Sequence, residues 1–282
     1  MSKSRPVLAA FVGVTASIVM LATFFYYAET HDVGKEIDDL HRLFILYTRK
    51  EVSCPQQTKD TIVLLLIGQS NSANHAEQSY GSSHGDKIIN YFDGRCLIAA
   101  SPLLGATGLA GESWTLLGNK IISSGLADRV VLISAGVGAS AIVRWQKGGD
   151  LNTMLLNQLD KARPQFRITH VLWHQGESDY GAGTTGADYM KMFMSLVDSL
   201  RSKGVDAPIF PSVATKCFSG WHRQNAVSTA QILLADKGNK IFAGVDTDSL
   251  ITDGDRYDGC HFAASGQEKF AEAWFQIIKD AR

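Results

Sequence analysis

Gly68-Gln69-Ser70-Asn71 follows directly on the apolar run Thr61 to Ile67. A serine flanked by glycine and by amides that can donate hydrogen bonds fits a nucleophile whose neighbours bind a developing negative charge. The same residues also fit a polar turn in which Ser70 or Asn71 caps the next helix. Asp258-Gly-Cys-His261 supplies what such a serine lacks. If these four residues turn back, their first and fourth Cα atoms lie within about 7 Å. The Asp258 carboxylate can then accept from the near ring nitrogen of His261, leaving the far one free as a base. A hydroxyl, an imidazole and a carboxylate that fixes the tautomer form a working set, and Ser, Asp, His is one of its known chain orders. Asp253 and Asp255 compete for the carboxylate role; the spacing favours Asp258.

Two further segments lie where strands deliver their carboxyl ends. Ser134-Ala-Gly-Val-Gly-Ala-Ser140 follows Val130 to Ile133. Its glycines let the backbone approach a ligand and point N–H groups into a cleft, or merely allow a tight turn. It matches neither the dinucleotide nor the phosphate-loop glycine spacing. Trp173-His174-Gln175-Gly176-Glu177-Ser178-Asp179 is dense in hydrogen-bonding groups. Leaving such groups unpaired in the interior costs about 1–3 kcal/mol each, so the cluster is solvated or organised around a site. His174, leaving a buried strand, reads first as a satisfied structural histidine.

Alternating elements must position these loops. Strands are expected over 61–67, 87–92, 129–135, 168–174, 207–213 and 240–245, where short apolar runs end in turn residues. Helices are expected over 114–124, 151–161, 187–203, 222–236 and 266–280, most of them closed by glycine or proline. Ser265 to Glu268 fits a capping box. The alternation predicts an α/β domain whose mostly parallel sheet is covered by helices on both faces.

The chain has 282 residues, enough for one large domain after its amino-terminal segment. Its net charge of −1, without a basic block, argues against a nucleic-acid partner. Val7 to Tyr27 is an uncharged stretch, about 31 Å long as a helix and therefore able to span a bilayer. Lys3 and Arg5 precede it and acidic residues follow, which leaves the amino terminus cytoplasmic and the remainder outside. A cleaved signal peptide is the alternative. Residues 1–30 are thus expected to be a cytoplasmic tip and signal anchor. An amphipathic stalk over 31–58 carries Ile37, Leu40, Phe44 and Tyr47 at helical spacing, and residues 59–282 form the domain. Cys54, Cys96, Cys217 and Cys260 all fall on the exported side, where disulfides persist. Of three possible pairings, Cys54 with Cys96 and Cys217 with Cys260 lets each half of the fold close on itself. No CxxC or HxxxH pair suggests zinc.

The four ordered blocks, from Gly68 through the loop at Gly138 and His174–Asp179 to His261, resemble those of the SGNH-hydrolase superfamily. The likeness is greatest to its sialate O-acetylesterase-like branch, which includes family 6 carbohydrate esterases. It covers roughly residues 61–282. It implies a three-layer α/β/α, flavodoxin-like domain and a serine esterase that removes O-acetyl groups from a carbohydrate, with no cofactor and no metal. It also implies Ser70 as nucleophile, His261 as base and then acid, Asp258 as its orienting partner, and the Ser70 and Gly138 N–H groups as oxyanion donors. The superfamily's Gly-x-Asn-Asp block reads His174-Gln175-Gly176-Glu177 here, which implies the Gln175 amide as third donor and leaves Gln69, Asn71, His174 and Glu177 as supporting or substrate-binding residues. Glu177 is expected to accept a hydrogen bond from the Ser70 loop, with a second partnership to His261 as the alternative. Trp114, Trp145 and Trp221 are candidates to stack on sugar rings. A carbohydrate O-acetyltransferase would use the same residues, and a noncatalytic glycan-binding or assembly protein is the third reading. In a Gram-negative bacterium the exported side is the periplasm.

Overall fold

Strand β2, Thr61–Gly68, is buried at every residue and organises the molecule. Its side chains alternate between two apolar layers: Val63, Leu65 and Ile67 enter one, and Ile62, Leu64 and Leu66 the other. A strand apolar on both faces must be covered on both. Helices Trp114–Ser123 (α1) and Ala264–Asp280 (α7) cover one side through Trp114, Leu117, Ile121, Phe270 and Trp274. Asp150–Ala162 (α2), Gly186–Ser202 (α4) and Ala226–Leu233 (α5) cover the other. Two shorter helices are Glu177–Ala182 (α3) and Thr247–Leu250 (α6). This computed structural model describes residues 40, 43–45, 47–218 and 220–281.

The remaining strands are β1 (Glu51–Val52), β3 (Ile88–Phe92), β4 (Arg95–Ile98), β5 (Arg129–Ser134), β6 (His170–His174) and β7 (Ile209–Pro211). The sheet order is β1-β4-β3-β5-β2-β6-β7. β2 lies between β5 and β6, parallel to both, and β6 pairs in parallel with β7. The expected strand at 240–245 is reduced to isolated bridges: Ile241 pairs in parallel with Ile209 and antiparallel with Asp236, and Asp246 just beyond it pairs in parallel with Val213. From β2 the chain places β5 and β3 on one side and β6 and β7 on the other, so the winding reverses at β2, the switch point of a doubly wound sheet. β3, β4 and β1 extend one edge, with β4 antiparallel to both neighbours.

The sequence reading needs three corrections. The strands at 95–98 and 51–52 were not expected. Asp93-Gly94, both at positive φ, makes a two-residue turn between Phe92 and Arg95, and Asp-Gly is a hairpin signal. The stalk does not extend to residue 58, because Glu51 and Val52 pair with β4 and Cys54 is bonded to Cys96; the compact unit runs from Arg49 to Arg282. Of the rest of the expected stalk, residues 40, 43–45, 47 and 48 are helical. Ser265 is not a cap: α7 has Ala263 at its N-cap, and Ser265 Oγ donates to Asp255 Oδ1 at 2.8 Å.

Both disulfides, Cys54–Cys96 and Cys217–Cys260, have the expected pairing. They suggest an extracellular domain, since such bonds form and persist in oxidising compartments. The expected anchor at Val7 to Tyr27 lies outside the described residues. Among those described, no helix is long and apolar enough to cross a membrane.

Candidate active site

β2 delivers Ser70 at the carboxyl end of the sheet, where open α/β folds collect their chemistry. Gly68 makes this exit possible. Its φ is +132°, and a Cβ there would lie 2.0 Å from the His174 carbonyl oxygen. Any side chain would push β2 from β6. Gln69 N–H then donates to that carbonyl at 2.9 Å, and residues 70–72 wind into a single 3-10 turn closed by Ala73 N–H donating to Ser70 O. Ser72 Oγ donates to Ile67 O, and Ser72 O accepts from the Trp114 indole at 2.9 Å. The turn is therefore fixed to the strand it leaves and to helix α1.

Ser70 is 6% exposed. Among the described residues its backbone N–H has no acceptor and no hydrogen bond joins its Oγ to His261. Hydrogen bonds between catalytic groups are often long or poorly aligned before substrate binds and tighten in the complex.

The turn before α7 brings Asp258 and His261 together. Asp258 Oδ2 meets His261 Nδ1 at 2.6 Å, while Oδ1 accepts from the Cys260 and His261 N–H groups at 2.9 and 2.7 Å. Partial burial raises the Asp258 pKa, but the ring and backbone hydrogen bonds outweigh it and hold the carboxyl below its ordinary range. An ionised Asp258 therefore fixes Nδ1 as the protonated nitrogen and leaves Nε2 with its lone pair. Two rings stack on His261: His75, with centroids 5.6 Å apart, and Tyr257, at 6.1 Å. Tyr257 Oη donates to the His75 carbonyl at 3.1 Å.

Asn71 ties the serine turn to the histidine turn. Its Oδ1 accepts from Phe262 N–H at 3.2 Å, and its Nδ2 donates to Cys260 O and to Glu177 Oε1 at 3.4 and 3.3 Å. Glu177 thus accepts a hydrogen bond from the serine turn. Burial is the main cause that pushes its pKa up to about 7, against the pull of its hydrogen bonds and of Arg256. The Arg256 guanidinium, itself buried, lies over the Phe262 ring and donates to Cys260 O. His174 is buried within the fold. Burial takes its pKa down to about 3, and Nε2 lies 3.1 Å from Thr247 Oγ1, which donates to Val213 O. The threonine proton being so used, His174 Nε2 is the donor.

Two of the three groups expected as oxyanion donors are hydrogen-bonded within the protein. Gln175 is 0% exposed, and its amide nitrogen donates to Ser140 O at 3.0 Å and Asp179 Oδ2 at 2.5 Å, while its oxygen accepts from Tyr189 Oη. Both amide hydrogens are engaged inside the protein, so Gln175 has none left for a ligand. Gly138 N–H donates to Thr107 Oγ1 at 2.7 Å. Gln69, by contrast, uses only its oxygen, which accepts from Ser178 N–H at 3.1 Å and more weakly from Gly176 N–H. Among the described residues its amide nitrogen has no acceptor. Trp114 and Trp145 are each 0% exposed core residues and reach no ligand; Trp221 is only partly buried. His75, Thr107, Arg256 and Tyr257 carry no local sequence signal; only the folded chain brings His75 and Tyr257 against His261, Arg256 against Cys260 and Thr107 against Gly138. Asp253 and Asp255 go elsewhere, to Lys216 and Lys269.

Residues 60–279 match the family model described as carbohydrate esterase, sialic acid-specific acetylesterase. The chain belongs to this family. It is accordingly a carboxylic ester hydrolase, a carbohydrate acetylesterase. Similar solved structures include a protein from Arabidopsis thaliana, 19% identical with a TM-score of 0.63, covering 78% of this chain and 98% of that one. NanS is 16% identical with a TM-score of 0.54 over 79% of this chain and 99% of its own. A putative GDSL-like lipase from Parabacteroides merdae is 12% identical with a TM-score of 0.53 over 79% and 98%. At these identities the likeness is one of fold. No curated protein matches.

Proposed function

We propose that this carbohydrate esterase works through an acetyl-serine intermediate at Ser70, in a domain held outside the cytoplasm by an amino-terminal anchor. The observation that carries the reading is the 2.6 Å contact between Asp258 and His261 Nδ1, on a turn that Asn71 fastens to the serine turn. His261 Nε2 takes the Ser70 proton as Oγ attacks the acetyl carbonyl. The imidazolium so formed is stabilised by Asp258 and returns the proton to the departing sugar oxygen. It then activates water against the acetyl-enzyme. The Ser70 N–H is one oxyanion donor. Gly138 N–H becomes another when the carbonyl oxygen displaces the Thr107 hydroxyl, and the Gln69 amide takes the third place in lieu of Gln175.

A fluorophosphonate probe tests the nucleophile. It should label the wild type and leave Ser70→Ala unlabelled, with acetate release from O-acetylated glycans lost in parallel. Equal labelling of both proteins would remove Ser70 from the mechanism. Transfer to a sugar acceptor is read in the same assay by adding oligosaccharide; acetylated acceptor forming faster than free acetate would make the protein a transferase.

A further inference from the structure

A cluster of aromatic rings stands beside the histidine turn and takes no part in the chemistry above. Trp221 lies against the backbone of Gly181, where an added Cβ would meet its ring at 3.3 Å. Tyr180 packs edge-on to Trp221 with centroids 4.8 Å apart, and Phe218 does so at 6.1 Å. Phe218 is 54% exposed and nearby Tyr257 is 49% exposed. Large rings held at a surface lose the benefit of burial, so a cluster of them marks a place where something binds.

The cluster is fastened to the site from two directions. Phe218 N–H donates to Gly259 O at 2.7 Å, and its neighbour Cys217 is bonded to Cys260, the residue before His261. Helix α3, which carries Tyr180, begins beside Ser178, whose N–H is held by the Gln69 side chain next to Ser70. The two cations on the Trp221 loop are neutralised in place, Lys216 by Asp253 at 2.7 Å and Arg223 by Asp246 at 2.5 Å. The loop therefore offers ring faces to a ligand in preference to charge.

We infer that Trp221, with Phe218 and Tyr180 about it, seats a pyranose ring of the substrate by stacking on its C–H face. The subsite fixes the sugar while Ser70 and His261 act on its acetyl group. This inference rests on the esterase reading for its substrate class. Stacking of this kind is sequence-tolerant toward the sugar's hydroxyls and governs binding more than turnover.

The test compares a ring-bearing ester, methyl 6-O-acetyl-glucopyranoside, with a ringless one, ethyl acetate. Trp221→Ala should raise KM for the glucoside about 5- to 10-fold and leave kcat/KM for ethyl acetate unchanged, and Trp221→Phe should restore most of the loss. An equal fall for both esters would show that Trp221 only supports the His261 turn, and an unchanged KM for the glucoside would remove the subsite. Binding of the glucoside to Ser70→Ala, followed by saturation-transfer NMR, reads the subsite without turnover. The signal should persist in Ser70→Ala and vanish when Trp221→Ala is added. Its persistence in the double variant would overturn the inference, whereas wild-type binding without acetate release would sink the esterase mechanism and leave the subsite standing.

Discussion

At the residue scale the decisive contrast is between two glutamines one strand apart. Gln69 and Gln175 both follow apolar strands, and the family pattern points to Gln175, yet of the two it is Gln69 whose amide nitrogen has no acceptor among the described residues. Gln69→Glu keeps the oxygen that holds Ser178 N–H and removes the donor, so turnover should fall about 100- to 1,000-fold with little change in melting temperature. Gln175→Ala should instead lower stability, since it leaves Ser140 O, Asp179 and Tyr189 Oη short of partners. The reverse pattern would return the donor role to Gln175. Asp258→Asn should lower kcat by about 10,000-fold while the fold persists, because an amide in that place favours the wrong imidazole tautomer. The contact of Asp258 with His261 and the place of Ser70 at the end of β2 were legible from the chain, because each lies in a short loop at a strand end or before a helix. The donor assignment was not, since the acceptors that occupy Gln175 come from the 134–140 loop and from helix α4, and no local spacing reports them.

At the element scale, the site depends on two turns kept in register by Asn71 and by the buried acid beneath it. Glu177 has a folded pKa of about 7, above its ordinary value of 4.5. Between these values the folded protein holds a proton that the unfolded chain has released. This group's contribution to stability therefore falls as pH rises from about 4.5 to 7, and the penalty is complete above 7. Glu177→Gln keeps an oxygen for Asn71 and removes the charge. Its melting temperature should match the wild type near pH 5 and exceed it at pH 8, by the equivalent of about 2–4 kcal/mol. A gain that is the same at both pH values would show that Glu177 is not titrating there. His174 acts in the opposite sense: its lowered pKa makes stability fall as pH drops from 6.5 toward 3. The Cys217–Cys260 bridge joins the aromatic loop to the histidine turn, so Cys217→Ser with Cys260→Ser should impair glycan hydrolysis beyond its effect on melting temperature. Removing Cys54–Cys96 should cost about 2–4 kcal/mol and leave kinetics intact. Equal kinetic losses in the two variants would separate the disulfide from the site.

At the scale of the whole molecule, the parallel core was readable because apolar runs alternate with helical periods, and the two-faced burial of β2 bears that reading out. The edge formed by β1 and β4 escaped it. Both strands are short, and their pairing depends on a hairpin turn and on a disulfide that brings Cys54 to Cys96 from 42 residues away. The boundary of the domain moved accordingly from residue 59 to Arg49. A chain beginning near Arg49 should fold as a soluble esterase, and the full chain should fractionate with membranes under the anchor reading; recovery of the full chain entirely in the soluble fraction, with Met1 still present, would contradict the anchor. The central claim is narrower and is tested by acetate release. Wild type and Ser70→Ala, shown to melt at the same temperature, are compared on one O-acetylated glycan at saturating concentration. The account predicts that Ser70→Ala loses at least about 1,000-fold in kcat, and a variant that keeps its rate within tenfold of the wild type would contradict it.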